Sequence, residues 1–173
     1  MNIQNQMKRM EGRFDEVVPV DFTVGLSDEQ WDRMIKVHLY GAFYGTRAAL
    51  RHMTPQRRGS VINISSIAAV RATPTRYYYP PVKAALLQVT RSLAVHLAPQ
   101  QIRVNAIMPG TFRTDMVEKA YSEDQLTETA SNTPLGRVAD PTELVGPALF
   151  LASEYDGFIT GATLDINGGV YGA

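Results

Sequence analysis

The chain has 173 residues, 45% of them hydrophobic and 20% charged, which is globular composition with room for one domain and a real core. Seventeen basic against seventeen acidic residues give zero formal net charge, and no basic run exceeds Arg57-Arg58, so neither nucleic acid nor an anionic membrane is indicated as a partner. The absence of cysteine excludes disulfides and thiolate metal sites, and neither a signal-peptide core nor an apolar run near the ~20 residues of a spanning helix occurs, so a cytoplasmic protein is expected.

Residues 1–25 carry no readable element; Val17-Val18-Pro19-Val20 reads as an edge strand or a loop, because proline cannot donate to a ladder. At Ser27-Asp28-Glu29-Gln30 the S-x-x-Q spacing predicts a capping box, and a helix comes next. Apolar residues recur at three and four from Trp31 through Met34, His38, Leu39 and Ala42 to Leu50 and Met53, predicting one long half-buried helix that ends before Pro55. Gly41 and Gly45 lie one turn apart inside it, where each costs up to ~1 kcal/mol against alanine, so a close approach by another element is expected there.

After the turn at 56–59, Val61-Ile62-Asn63-Ile64 predicts a parallel strand buried on both faces, and Ser66 opens a loop. Residues 81–98 are strong helix, with Pro80-Pro81 tolerable only in its first turn and Pro99 as the stop. Residues 102–108 predict a second strand, broken by Pro109-Gly110, so that strand, helix and strand form a right-handed βαβ unit. Residues 111–133 read as polar and irregular, with a weak helix at 116–120; Asp140-Pro141-Thr142-Glu143 caps a helix to about 152, and Thr163-Leu164-Asp165-Ile166 is the last strand.

The chemistry concentrates between Gly59 and Lys83. A serine at the carboxyl end of a strand stands where open α/β sheets place ligands, and Tyr79 and Lys83, four apart, share a helical face. A phenol with an ordinary pKa of about 10 needs a neighbouring cation to shuttle a proton near neutral pH; Lys83 is that candidate cation, and the Ser66 hydroxyl could hold a carbonyl oxygen against Tyr79. A Tyr-x-x-x-Lys pair taken alone ordinarily decorates a solvated helix face.

The order Asn63-Ile64-Ser65-Ser66, then Tyr79 and Lys83, then Arg103-Val104-Asn105-Ala106-Ile107-Met108-Pro109-Gly110 resembles the short-chain dehydrogenase/reductase family, from about Leu26 to the C-terminus. The resemblance implies an α/β fold, a Rossmann-like, doubly wound parallel sheet flanked by helices, with residues 26–173 as the catalytic C-terminal part and residues 1–25 poorly defined. It also implies hydride transfer between NAD or NADP and a small secondary alcohol or ketone, in a homo-oligomer. Carried over, Tyr79 is the acid/base, Ser66 holds the substrate oxygen, and Lys83 lowers the tyrosine pKa and binds the nicotinamide ribose. Pro109, Gly110 and Thr114 match the segment that touches the nicotinamide end of the cofactor.

Each residue also has a plain reading: Ser66 as a capping hydroxyl, Pro109-Gly110 as a turn, Thr114 as an N-cap. Tyr77 and Tyr78 are rival phenols without the spacing to Lys83 and are expected to line a pocket or the surface; His52 and His96 are expected at the surface. His38 stands where the family carries the asparagine of a proton relay, and a relay and a packing role weigh evenly for it.

The family's glycine-rich phosphate-binding turn has no counterpart here, and neither has its Asn-Asn-Ala-Gly segment, so the fold is expected to be N-terminally truncated, with an exposed apolar edge at the Val61 strand and weakened cofactor binding. The alternative to an enzyme is a non-catalytic remnant that serves as an interaction or dimerisation module through the helices at 27–54 and 81–98.

Overall fold

The computed structural model describes residues 26–72, 77–155 and 157–171, and the expectations for residues 1–25 lie outside the described residues. Helix α1 (Asp28–Ile35) opens with the expected capping box: Gln30 N donates to Ser27 Oγ at 3.3 Å and Ser27 N donates to Gln30 Oε1 at 2.9 Å. The helix then passes through a π-helical turn, Lys36–Tyr40, into α2 (Gly41–Gln56).

The expected stop before Pro55 is corrected. Proline sits inside the last turn, and the chain leaves through Arg57 in the left-handed conformation (φ 49°), its N–H closing onto Thr54 O at 3.1 Å. Pro55 has no N–H for Arg51 O, and the bond it removes lies within about a turn of where the helix ends, so few helical bonds beyond it are disturbed. The expected close approach at Gly41 and Gly45 is also corrected: a Cβ on Gly45 would meet nothing within 4 Å among the described residues, and one on Gly41 only Lys36 O at 3.8 Å.

Strands β1 (Gly59–Ile64), β2 (Ile102–Pro109) and β3 (Thr163–Ile166) form a parallel three-stranded sheet in the order β1-β2-β3, with Val61 opposite Val104 and Ala106 opposite Thr163. Helix α3 (Tyr79–Leu97) makes the crossover from β1 to β2. The core lies between this helix and the central strand. Val104 and Ala106 are fully buried; Ala94, Leu97, Ile102 and Val104 pack with Leu50, Met53, Val61 and Leu93, while Leu87, Ala106 and Met108 form a second cluster nearer the carboxyl end.

The expectation that β1 is buried on both faces does not hold: β2 is its one ladder partner among the described residues, and Ile64 remains 50% exposed. Among the described residues nothing pairs with the other edge of β1, as expected for this strand.

Residues 111–133 are more regular than their polarity suggests. They form α4 (Asp115–Ala120), near the expected weak helix, and α5 (Glu123–Ser131), which corrects the irregular reading: Ser122 and Gln125 carry the capping-box spacing and make it. The capping box at Asp140 and Glu143 forms as expected, but it opens a 3-10 turn (Pro141–Leu144) before α6 (Val145–Ala152) begins.

Candidate active site

The carboxyl end of β1 is tied to α3 in both directions. Ser65 Oγ donates to Lys83 O at 3.0 Å, and Lys83 Nζ donates back to Ile64 O at 2.8 Å, while Ser65 N holds the strand end to β2 through Ile107 O at 2.8 Å. Ser65 is 3% exposed and Lys83 only 7%. A buried hydroxyl and a buried ammonium thus satisfy each other's segments, which fixes helix to strand where a ligand would approach.

Tyr79 opens α3 and Lys83 lies one turn later, its ammonium 5.6 Å from the Tyr79 ring centroid. His38, carried by the π turn, meets Tyr79 edge-on with the ring centroids 5.5 Å apart. Burial pushes the Lys83 pKa below its ordinary value. Burial, and then the Lys83 charge, lower that of His38, which favours the neutral imidazole that can both donate and accept.

The fold therefore brings His38, Tyr79 and Lys83 together at the end of β1. Ser66 lies two residues past the carbonyl that Lys83 holds, and its Oγ accepts from Ala68 N at 3.2 Å as the cap of the short 3-10 turn Ile67–Ala69. A hydroxyl accepting one bond keeps its proton to donate. Pro109 and Gly110 stand at the end of the neighbouring strand, where Gly110 N donates to Ile166 O at 2.8 Å. Thr114 caps α4, its Oγ1 accepting from Val117 N at 3.4 Å, so the plain capping reading is realised at both Ser66 and Thr114.

Tyr78 borders a shallow cavity of about 360 Å³ with Leu26, Met34, Val37 and His38, and Tyr77, 39% exposed, packs edge-on against Tyr78. His52 and His96 are exposed. Three polar residues named in the motif order received no role from the sequence and turn out to be structural ties: Ser65; Asn63, whose Nδ2 donates to Thr90 Oγ1 at 2.9 Å; and Asn105, wholly buried and bonded to the 159–162 segment. Their signal was a polar residue inside an apolar strand, which needs a partner wherever it is buried.

A strand-end serine followed by a tyrosine and a lysine on one helix, beneath a parallel sheet, defines the class, and this chain belongs to the short-chain dehydrogenase/reductase family. The family model described as enoyl-(acyl carrier protein) reductase matches residues 19–171. The 3-oxoacyl-[acyl-carrier-protein] reductase of Vibrio harveyi is 36% identical over 146 residues, 84% of this chain and 59% of that protein. An L-rhamnose 1-dehydrogenase (NAD(P)(+)) of Azotobacter vinelandii is 36% identical over 157 residues, covering 90% and 61%.

Among solved structures, a gluconate 5-dehydrogenase from Burkholderia cenocepacia, in complex with NADP and tartrate, superposes with a TM-score of 0.80 at 32% identity, covering 84% of this chain and 57% of that one. The chain thus spans rather less than two thirds of the length of these relatives. Two of them carry a nicotinamide cofactor in their descriptions: NAD(P)(+) for the rhamnose dehydrogenase and bound NADP for the gluconate dehydrogenase.

Proposed function

We propose that this chain carries the acid/base half of an NAD(P)-dependent oxidoreductase that interconverts a small secondary alcohol and its ketone. The observation that supports this best is the convergence of Tyr79, Lys83 and His38 at the end of β1, with Lys83 anchored on Ile64 O. In the alcohol-forming direction Tyr79 gives its phenolic proton to the carbonyl oxygen, and the Ser66 hydroxyl donates to the same oxygen as charge develops on it. The Lys83 ammonium stabilises the phenolate that results, and neutral His38 can relay a proton toward it, accepting one from solvent on one ring nitrogen as the other gives one up.

Lys83, Tyr79 and the Pro109-Gly110 corner suit the nicotinamide ribose: a buried cation with donors to spare, a phenol, and a backbone corner without a side chain. NAD or NADP bound there would supply the hydride. Tyr79→Phe removes one hydroxyl and little else, so turnover of any ketone this chain reduces is expected to fall by ~100- to 10,000-fold, with the circular dichroism spectrum and melting temperature unchanged. Turnover within about tenfold of the wild type would reject Tyr79 as the acid.

A second reading has its own support. Lys83 Nζ and Ser66 Oγ are both engaged by the backbone, and α2 exposes Phe43 (47%) and Tyr44 (51%) beneath the Arg47 guanidinium. On that reading the chain is a binding module that associates through its helices and turns over no substrate. Sedimentation of the wild type beside Phe43→Ser/Tyr44→Ser, read together with ketone reduction by the wild type, separates the two: an assembly that dissolves in the variant and never reduces a ketone supports the module, whereas turnover by the wild type rejects it.

A further inference from the structure

Two polar side chains on the face of β1 that meets α3 grip that helix at two points. Asn63 Nδ2 donates to Thr90 Oγ1 at 2.9 Å, and Ser65 Oγ donates to Lys83 O at 3.0 Å; all four residues are buried. Residues two apart on a strand share a face, and Thr90 and Lys83, two helical turns apart, share one too, so the pair of bonds spans ~10 Å of α3. The Asn63 bond lies toward the middle of the helix. The Ser65 bond lies at the end that carries Tyr79 and Lys83.

Ser65 is a junction as well as a tie. Its N–H is held on β2 by Ile107 O at 2.8 Å, its neighbour Ile64 offers the carbonyl on which the Lys83 ammonium rests at 2.8 Å, and its other neighbour is Ser66. The Ser66 and Tyr79 hydroxyls have to reach one oxygen atom of the substrate. The path from Ser66 back to Ser65, across a single hydrogen bond to the Lys83 carbonyl and along one turn of helix to Tyr79 is made of stiff parts throughout. The bond from Lys83 Nζ to Ile64 O is no substitute, because it runs through a flexible four-carbon stem that follows the helix if the helix moves. With the Asn63 bond as pivot, a tilt of about 6° carries Lys83, ~10 Å away, through ~1 Å, and a misplacement of that size costs up to ~100-fold in rate.

On the roles proposed above for Ser66, Tyr79 and Lys83, we propose that Ser65 is a positioning residue for the alcohol–ketone reaction, its hydroxyl setting where the Tyr79 end of α3 stands relative to Ser66. This role is separable from stability. Lys83 O already accepts within the helix from the N–H four residues on, so the serine fills its second lone pair, and removing the hydroxyl orphans no acceptor. Asn63 and Thr90 are the opposite case. Without the Thr90 hydroxyl a buried amide donor loses its partner, at a point of the helix remote from the chemistry.

Ser65→Ala and Thr90→Val test this in the full chain, with ketone reduction followed at millimolar NADH and NADPH and the His38 ring protons titrated by NMR. The His38 ring meets Tyr79 edge-on and its pKa is lowered by burial and then by the Lys83 charge, so it reports the placing of that end of α3 without any turnover. Ser65→Ala is expected to lower kcat ~10- to 100-fold with KM within about twofold, to move the His38 titration upward, and to lower the melting temperature by no more than about 4 °C. Thr90→Val should melt lower than Ser65→Ala, yet keep kcat within about threefold and the His38 titration of the wild type. The proposal is overturned by a Ser65→Ala variant that keeps kcat within about threefold, leaves the His38 titration unmoved, or melts as low as Thr90→Val. A Thr90→Val variant that loses as much kcat as Ser65→Ala overturns it too. A wild type that reduces no ketone rejects the function proposed above, and the His38 titration alone then decides whether Ser65 places the helix.

Discussion

At the scale of single residues, Asn105 shows how a polar side chain becomes structural. It is wholly buried in the central strand, its Nδ2 donating to Ile159 O at 2.9 Å and its Oδ1 accepting from Ala162 N at 3.0 Å. Asn105→Ala leaves a backbone donor and a backbone acceptor without partners, so a loss of about 2–3 kcal/mol is expected in urea unfolding; a loss below about 1 kcal/mol would mean that water takes the place of the amide. His38 makes a pH-dependent contribution of opposite sign to a salt bridge. Its folded pKa lies below the ordinary 6.5 through burial and then the Lys83 charge, so the unfolded chain takes up a proton first as the pH falls. Stability attributable to His38 is therefore lost as the pH drops below about 6.5, down to the folded pKa, and His38→Gln should flatten that limb of the stability curve. Lys83→Met removes the repelling charge, and the His38 pKa, read from its ring proton shifts, should move up.

At the scale of elements, the strand ends are held by close packing at some glycines and not at others. A Cβ on Gly110 would lie 2.9 Å from Asn167 Cα, and the backbone there cannot move without shifting the turn after β3. A Cβ on Gly59 would meet only the flexible side chain of Met53. Gly110→Ala is therefore expected to cost about 1–3 kcal/mol and Gly59→Ala clearly less, compared by thermal unfolding of the two variants; equal costs would show that the Asn167 turn yields. Helix α6 is fastened in another way, by Arg103, which donates to Leu151 O at 3.2 Å and Ser153 O at 2.9 Å and places a cation at the helix C-terminus. Arg103→Gln should loosen α6 by about 1–2 kcal/mol, visible as faster amide exchange in 149–153 with β2 unaffected.

At the scale of the whole molecule, the open question is how much cofactor a chain of this extent can hold. It spans 59% of the Vibrio harveyi relative. The residues proposed to meet the cofactor, namely Tyr79, Lys83, Pro109, Gly110 and Thr114, all address its nicotinamide end. Contacts worth even ~4 kcal/mol, if absent at the phosphate end, shift a micromolar dissociation constant to the millimolar range. Titration of the chain with NADH and NADPH by calorimetry is therefore expected to give millimolar or no saturable binding. Micromolar saturation would show that the phosphates find partners the sequence does not advertise. Among the described residues no helix is long and apolar enough to cross a membrane.

The sequence by itself determined the features that depend on neighbours along the chain. The capping boxes at Ser27 and Asp140, the strands at 61–64, 102–108 and 163–166, and the one-turn spacing of Tyr79 and Lys83 are all local periodicity and hydrogen-bond chemistry, legible without a partner. Family membership was legible for the same reason, because the motif order survives in one dimension. Tertiary structure alone decided the rest. Whether β1 is central or an edge depends on which strands lie beside it; whether Ser65 matters depends on the Lys83 carbonyl eighteen residues away; and whether Gly41 and Gly45 are approached depends on what packs against α2. Burial of His38 and Lys83 belongs to this second group too, since a pKa is set by the charges and the solvent excluded around a group in space, and the order of residues does not record them.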